Sequence, residues 1–458
     1  MNLLRLILMA SVASIGCSQH IAVLLITQPW PYELNYAQKF KDGFLNSLEE
    51  LSWNGTLLKT HSNFDNNVGG WSLWPLLGRL YSHVKDANFL LIVEPFSQVD
   101  WTALKRYTEG LNPEEDVFQG KGLIDKKPVI IHHFFGFQGQ EKPIKYPDFS
   151  AGVLLSRSFL KRVVEVVGTH DKSDFTIDAK FEFAKFIYDN IGTELEHSDK
   201  FCLEGSPSCI VTYAAPKYAK DEPGCGNEIS KENVFYAVKT FNGYHKTRVL
   251  YVKRTWGKEA KYIEFFSDTE DFYVPTIDLK VPNTEIGHCG KTLAIIKHYL
   301  SHEEVNHAPW LVIADDDTLL STTRLHRMLD CLPTSTKVIL GERYGFGFDW
   351  DGLGGYDYPT GGSGIVISRE AARHLAVSCE CPQVDSPDDM VIGACARRLN
   401  IPILHSPAFH QAQREDYDPS YINKIPPISF HKFENIDPYK EHQEYLYEAE
   451  DTQGHTEL

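Results

Sequence analysis

Residues 310–317 read WLVIADDD and residues 89–96 read FLLIVEPF, two short apolar runs 221 positions apart that both end in an acid. Each is followed by a segment with helical periodicity, STTRLHRMLDCL after the first and WTALKRYTEGL after the second. Three more pairs occur in the same order at similar spacing. IAVLLIT from Ile21 pairs with FYAVKTF from Phe235, YPDFSAGVLLSR from Tyr146 with YPTGGSGIVISR from Tyr358, and HSDKFC from His197 with HSPAFH from His405. Any strand followed by a helix looks somewhat alike, but four matches in one order argue for an internal duplication. Short β-branched runs alternate with amphipathic segments, so the expected fold class is α/β, with two related domains, each a mixed or largely parallel sheet covered by helices. The expected division is a leader at 1–18, a first domain at 20–205, a Cys, Pro and Gly-rich linker at 206–229, a second domain at 230–440 and a tail at 441–458.

Bulk properties bound what such a chain can do. Its 458 residues exceed one typical core, and 42% hydrophobic content excludes wholesale disorder. Acids outnumber bases 62 to 45, a formal charge of -17, which argues against a nucleic-acid binder. The start MNLLRLILMASVASIGCSQH reads as a secretory signal, with a lipoprotein signal ending at Cys17 as the lesser alternative. No later apolar run is long enough to predict a membrane span. Of 9 cysteines, removing Cys17 leaves eight, an even number suited to four disulfides in an oxidising compartment. The sequon Asn54-Gly55-Thr56 fits the same route, and the closing HTEL resembles tails read by the retrieval receptor of the endoplasmic reticulum (ER). Together these features predict the ER lumen.

The chemistry concentrates in the second half. Asp315, Asp316 and Asp317 stand at the carboxyl end of an apolar strand, where α/β domains collect ligands. Three clustered carboxylates repel one another unless a cation compensates, which predicts a hard divalent metal, Mn²⁺ or Mg²⁺. The competing reading is that Asp317 and Thr318 cap the next helix. The first half carries Glu94, Pro95 and Phe96 at the matching positions and Cys202 where the second has His410, so it is expected to lack that chemistry. Asp388 and Asp389 open a second amphipathic segment and offer a metal ligand or a general base, or simply favourable charge at a helix start. In TGGSGIVISREA, Gly361, Gly362 and Gly364 would let backbone approach a ligand closely before a helix capped by Ser368.

FYAVKTF, RVLYVKRTW, FFSD, IADDD, GGSGIVISREA, PDDMVIG and HSPAFHQ occur in this order across residues 230–440. The segment thereby resembles the fringe-like β-1,3-glycosyltransferases. VPNTEIGHCGKT, LGERYGFG and ISFHKFENIDP further resemble members that add glucose to O-linked fucose on thrombospondin type 1 repeats. The resemblance implies a GT-A-type fold, UDP-glucose as donor, Mn²⁺ and inversion at the anomeric carbon. It also implies O-fucosylated repeat proteins as partners. It carries metal ligation onto Asp315, Asp317 and His410, contacts to the nucleotide onto Thr240, Arg248, Asp268, Asp315 and Asp316, and the catalytic base onto Asp389, with Asp388 second. The stretch FGFDWDGLGGYDYPTGG is longer than the family pattern. For the disulfides, Cys289 with Cys331 and Cys395 with Cys379 or Cys381 are expected to staple the second domain, while Cys202, Cys209 and Cys225 cluster in the linker. Two other functions compete: a fringe-like transferase of N-acetylglucosamine or galactose, and a non-catalytic ER lectin or folding sensor. The second suits the first domain, expected to help hold a folded repeat.

Overall fold

The computed structural model describes residues 19–64, 66–125, 143–169 and 172–448. The expected leader and the HTEL tail lie outside the described residues. Among these residues, no helix is long and apolar enough to cross a membrane.

The first half supplies strands β1 (His20–Leu25), β2 (Asn54–Lys59), β3 (Phe89–Val93), β4 (Ser97–Val99), β5 (Phe118–Gly120), the pair β6 (Gly122–Ile124) and β7 (Lys145–Pro147), then β8 (Val153–Ser156), β9 (Lys172–Thr176), β10 (Glu196–His197) and β11 (Val211–Tyr213). The second half supplies β12 (Val234–Lys239), β13 (Tyr262–Ser267), β14 (Thr276–Asp278), β15 (Trp310–Asp315), β16 (Thr318–Leu320), β17 (Ile339–Gly341), β18 (Arg343–Asp349), β19 (Tyr356–Pro359), β20 (Ile365–Ser368), β21 (Ile403–His405) and β22 (Ser429–His431).

The main sheet of the first half runs β2-β1-β3-β8-β5-β10, and that of the second runs β13-β12-β15-β20-β17-β21 with β14 added at the edge. In both, the fourth strand is antiparallel to its two neighbours while the other pairs are parallel. The register agrees residue by residue. Phe89 faces Ser156 as Trp310 faces Ser368, and Ile21 faces Phe89 as Val234 faces Trp310. The matching therefore sets Thr27 against Thr240, one position off the pairing of IAVLLIT with FYAVKTF read from sequence.

Both sheets are buried on two faces, which is why their strands read as unbroken apolar runs. In the second half Val234, Tyr236, Val312 and Ala314 face one hydrophobic layer, and Phe235, Ala237, Leu311 and Ile313 face the other. This alternation is the two-residue period of a strand.

The halves are not beads on a linker. β11, inside the expected linker, pairs with β4, so the first half extends past residue 205. The segment after it also packs tightly, because Glu222 accepts from Tyr32 and Tyr36 at 2.6 and 2.8 Å and Cys225 is bonded to Cys331. The long stretch before the glycine turn forms β18 and β19, and β18 takes β9 of the first half as its antiparallel neighbour.

The disulfides are Cys202–Cys209, Cys225–Cys331, Cys289–Cys381 and Cys379–Cys395. The expected Cys289–Cys331 pair is therefore wrong. Those two cysteines lie in hydrophobic layers on opposite faces of the second sheet, so its strands separate them. Cys395 takes Cys379, one of its two expected partners.

Candidate active site

The carboxyl ends of β12 and β15 lie side by side, with Lys239 directly opposite Asp315. An ammonium at the end of one buried strand meets the acids at the end of the next. Lys239 Nζ lies 3.0 Å from Asp315 Oδ1 and 2.7 Å from Asp388 Oδ2, tying the acidic turn to the helix Asp388–Arg398. Both partners hold its pKa above the ordinary lysine value despite burial. Lys239 was not singled out from sequence, although its position at the end of an apolar run carried the same signal as the aspartates.

Each aspartate has a distinct environment. Asp316 is buried and accepts a hydrogen bond from Thr240 Oγ1 at 2.7 Å, and burial pushes its carboxyl up to about 6. Burial also works against Asp317, but a bond to His431 and the nearby Arg248 guanidinium outweigh it and hold the carboxyl below its ordinary value. Arg248 Nη1 reaches Asp317 Oδ2 at 2.8 Å while its guanidinium lies over the Tyr244 ring at 4.1 Å. Asp317 caps no helix, because the helix Thr322–Asp330 starts after Ser321. The capping explanation for the triple aspartate fails.

Asp315, Asp317 and His431 each offer one ligand atom, all within 4.8 Å of one another. His431 arrives on β22, whose ladder with β16 sets it opposite Thr318. Its Nδ1 donates to Gln411 O at 2.9 Å, so Nε2, 3.2 Å from Asp317 Oδ1, is the nitrogen that donates to that carboxylate and that would give up its proton to ligate a metal. Two carboxylates and one imidazole suit a borderline-hard cation such as Mn²⁺. Glycine makes room for the ring, since a Cβ at Gly362 would collide with the His431 imidazole. A second trio, Glu264, His298 and His302, is less suited to a metal. Glu304 N donates to His302 Nδ1, so Nε2 carries the proton and donates to Glu264 Oε1 at 2.9 Å.

The structure does not bring His410, expected as a metal ligand, to Asp315 and Asp317, and His431 stands beside them instead. The His410 ring is fully buried against Tyr417 and Phe430, and among the described residues neither ring nitrogen has a hydrogen-bond partner. Burial drives its pKa down to about 3, a neutral core histidine. The repeat match with Cys202 located the backbone, and it said nothing about where the ring points.

The other predicted residues gather at the same end of the sheet. Asp268, at the end of β13, accepts from Asn242 N at 2.9 Å. Asp388 is buried and accepts from Lys239 and from Thr292 Oγ1 at 2.5 Å. Burial opposes its ionisation, yet Lys239 prevails and holds it near 2. Its neighbour Asp389 is half-buried, and burial followed by the Asp388 charge raises it to about 6. Two adjacent carboxyls with pKa values driven apart fit a positioning group and a base. Lys291, also missed from sequence, is buried with its Nζ donating to Thr240 O at 2.6 Å.

In the first half the same turn survives without the chemistry. Asp315 N donates to Thr318 Oγ1, which donates to Gly362 O. Glu94 N donates to Ser97 Oγ, which donates to Ser150 O. Phe96 stands in place of Asp317. Tyr213, paired with Ser97 as His431 is with Thr318, replaces the histidine.

Residues 229–453 match the family model described as Fringe-like. A β-1,3-glucosyltransferase of Mus musculus is 38% identical over 441 residues, covering 95% of this chain and 88% of the relative. Its counterpart in Homo sapiens is 37% identical over 441 residues, covering 95% and 87%. A β-1,3-N-acetylglucosaminyltransferase manic fringe of Danio rerio is 26% identical over 230 residues, covering 44% of this chain and 63% of the relative.

Proposed function

We propose, from the premise that this chain belongs to the fringe-like β-1,3-glycosyltransferase family, that its second half transfers glucose from UDP-glucose to the 3-hydroxyl of O-linked fucose on thrombospondin type 1 repeats, with inversion. That the chain carries out β-1,3 glycosyl transfer follows from its relatives. Donor, acceptor and metal are our reading. The observation that carries it is the meeting of Asp315, Asp317 and His431 with Lys239 and the Asp388–Asp389 pair at one sheet end.

In this reading Asp315, Asp317 and His431 hold Mn²⁺, which would offset negative charge on the diphosphate leaving group. Arg248 and Lys239 are the cations positioned to meet that diphosphate, and Thr240 and Asp268 border the nucleotide. Asp389 takes the proton from the attacking hydroxyl, which a carboxylate with pKa near 6 does at neutral pH. Asp388, fixed by Lys239 and Thr292, holds the start of that helix and does not itself move protons.

The acceptor location follows from the secretory-like start, the HTEL tail and four disulfides, which support residence in the ER lumen. The first half is then non-catalytic and contributes to holding the folded repeat. Full-length coverage by glucosyltransferase relatives favours glucose over N-acetylglucosamine. A competition assay with UDP-glucose, UDP-N-acetylglucosamine and UDP-galactose on an O-fucosylated repeat tests this. Glucose should dominate the product, and preference for another sugar would overturn the donor assignment.

A further inference from the structure

The vestigial end of the first sheet is not filled in. A cavity of about 140 Å³ lies there, between the halves, with Glu94, Phe96 and Tyr213 on one side and Arg343, Tyr417 and Lys424 on the other. Its size is close to the roughly 150 Å³ that accommodates one six-membered ring. It occupies, in the first half, the place that the acidic turn occupies in the second.

Three features define what could enter. Phe96 and Tyr213 have removed two of the three metal ligands, so a metal-held diphosphate has no counterpart here. The wall carries five carboxyls and three cations, and burial pushes Glu33 and Glu342 up to about 8, so it offers no surplus of positive charge to hold a phosphorylated or anionic molecule. The cations are also engaged. Lys424 Nζ lies 3.0 Å from Asp148 Oδ2 and 3.2 Å from Ser150 Oγ, and Lys180 Nζ sits 3.9 Å over the Tyr421 ring.

Polar valence is left over on the same wall. Among the described residues, the Glu94 carboxylate and the Tyr213 and Tyr421 hydroxyls meet only charge and burial, with no hydrogen bond. The buried Nε of Arg343 is also unsatisfied, and its guanidinium lies 4.7 Å from the Trp71 ring. A carboxylate acceptor, free hydroxyls and aromatic faces around a ring-sized space match a polyhydroxylated ring that presents hydroxyls outward and C–H faces to aromatics.

We propose that this interdomain cavity is a second carbohydrate site, binding one neutral monosaccharide unit through Glu94 and Tyr213. The site is separate from the donor site and does not rest on the choice of donor or acceptor made above. A free sugar and the terminal residue of a glycan present the same ring.

The test is saturation-transfer NMR on the full-length protein with UDP and Mn²⁺ present to hold the catalytic site. The probes are glucose, galactose, fucose, mannose and N-acetylglucosamine, their methyl glycosides, and glucose 6-phosphate. At least one neutral sugar should show transfer at millimolar concentration. A methyl glycoside that binds as well identifies a glycan terminus, and loss on methylation identifies a free sugar. Glu94→Gln should weaken binding about tenfold, the scale of one charge-assisted hydrogen bond. Tyr213→Phe, which removes one oxygen, should weaken it too and serves if Glu94→Gln does not fold. Asp317→Ala should leave binding intact, separating this site from the catalytic one. The proposal is overturned by silence from every neutral sugar, by stronger binding of glucose 6-phosphate, or by binding that survives both first-half substitutions.

Discussion

Asp389 and His431 carry the account at the scale of single residues. Asp389→Asn should lower kcat by about 10²- to 10⁴-fold with little change in donor KM, measured in steady-state transfer assays. Because its carboxyl titrates near 6 and the base must be ionised, kcat/KM should fall as pH drops below about 6 and level off above it. A profile flat from pH 5 to 8 would remove Asp389 from the role. His431→Ala should weaken Mn²⁺ binding by at least about tenfold in calorimetry, whereas His410→Phe should leave it unchanged. The acids were legible in sequence because charge at the end of an apolar strand demands a partner. Lys239, at the end of the neighbouring apolar run, carries the same signal. His431 was not legible, since only the β16–β22 ladder brings it beside Asp317 across more than a hundred residues of chain.

At the scale of elements, the duplication is written in caps and turns more clearly than in composition. Ser156 and Ser368 each cap the helix that follows, and each also accepts from the residue just before a neighbouring strand, Val117 N at 3.1 Å and Val338 N at 3.0 Å. Gly152 and Gly364, matched in the sequence repeat, both have φ near +90°, which a side chain would resist. Ser368→Ala should therefore cost about 2 kcal/mol, one cap plus one orphaned N–H, and Ser156→Ala a similar amount in denaturant unfolding. The strands and the glycine turn were readable from period and turn chemistry. Cysteine pairing was not, because spacing does not reveal which face of a sheet a cysteine occupies. Cys289 and Cys331, expected to pair, lie in opposite layers.

For the whole molecule, the sequence suggests two domains joined by a linker, and the structure packs them together. Trp30 and Tyr32 of the first half pack in the same hydrophobic layer as Val234 and Tyr236 of the second, and Trp30 Nε1 donates to Cys331 O at 3.0 Å. The buried Lys424–Asp148 pair and the β9–β18 ladder cross the same boundary. These contacts pair residues hundreds of positions apart, which no local period encodes. A chain starting at residue 230 should thus show no cooperative transition in scanning calorimetry, so removing the first half cannot by itself isolate its role in acceptor binding. Lys424→Ala, which strands the Asp148 carboxylate, should destabilise the full chain by about 3 to 5 kcal/mol. If the second half alone keeps the working acids, Asp317→Ala should abolish most transfer when assayed with UDP-glucose, Mn²⁺ and an O-fucosylated thrombospondin repeat. The expected result is a folded protein with transfer reduced at least about a thousandfold. Near-normal transfer by that folded variant would contradict it.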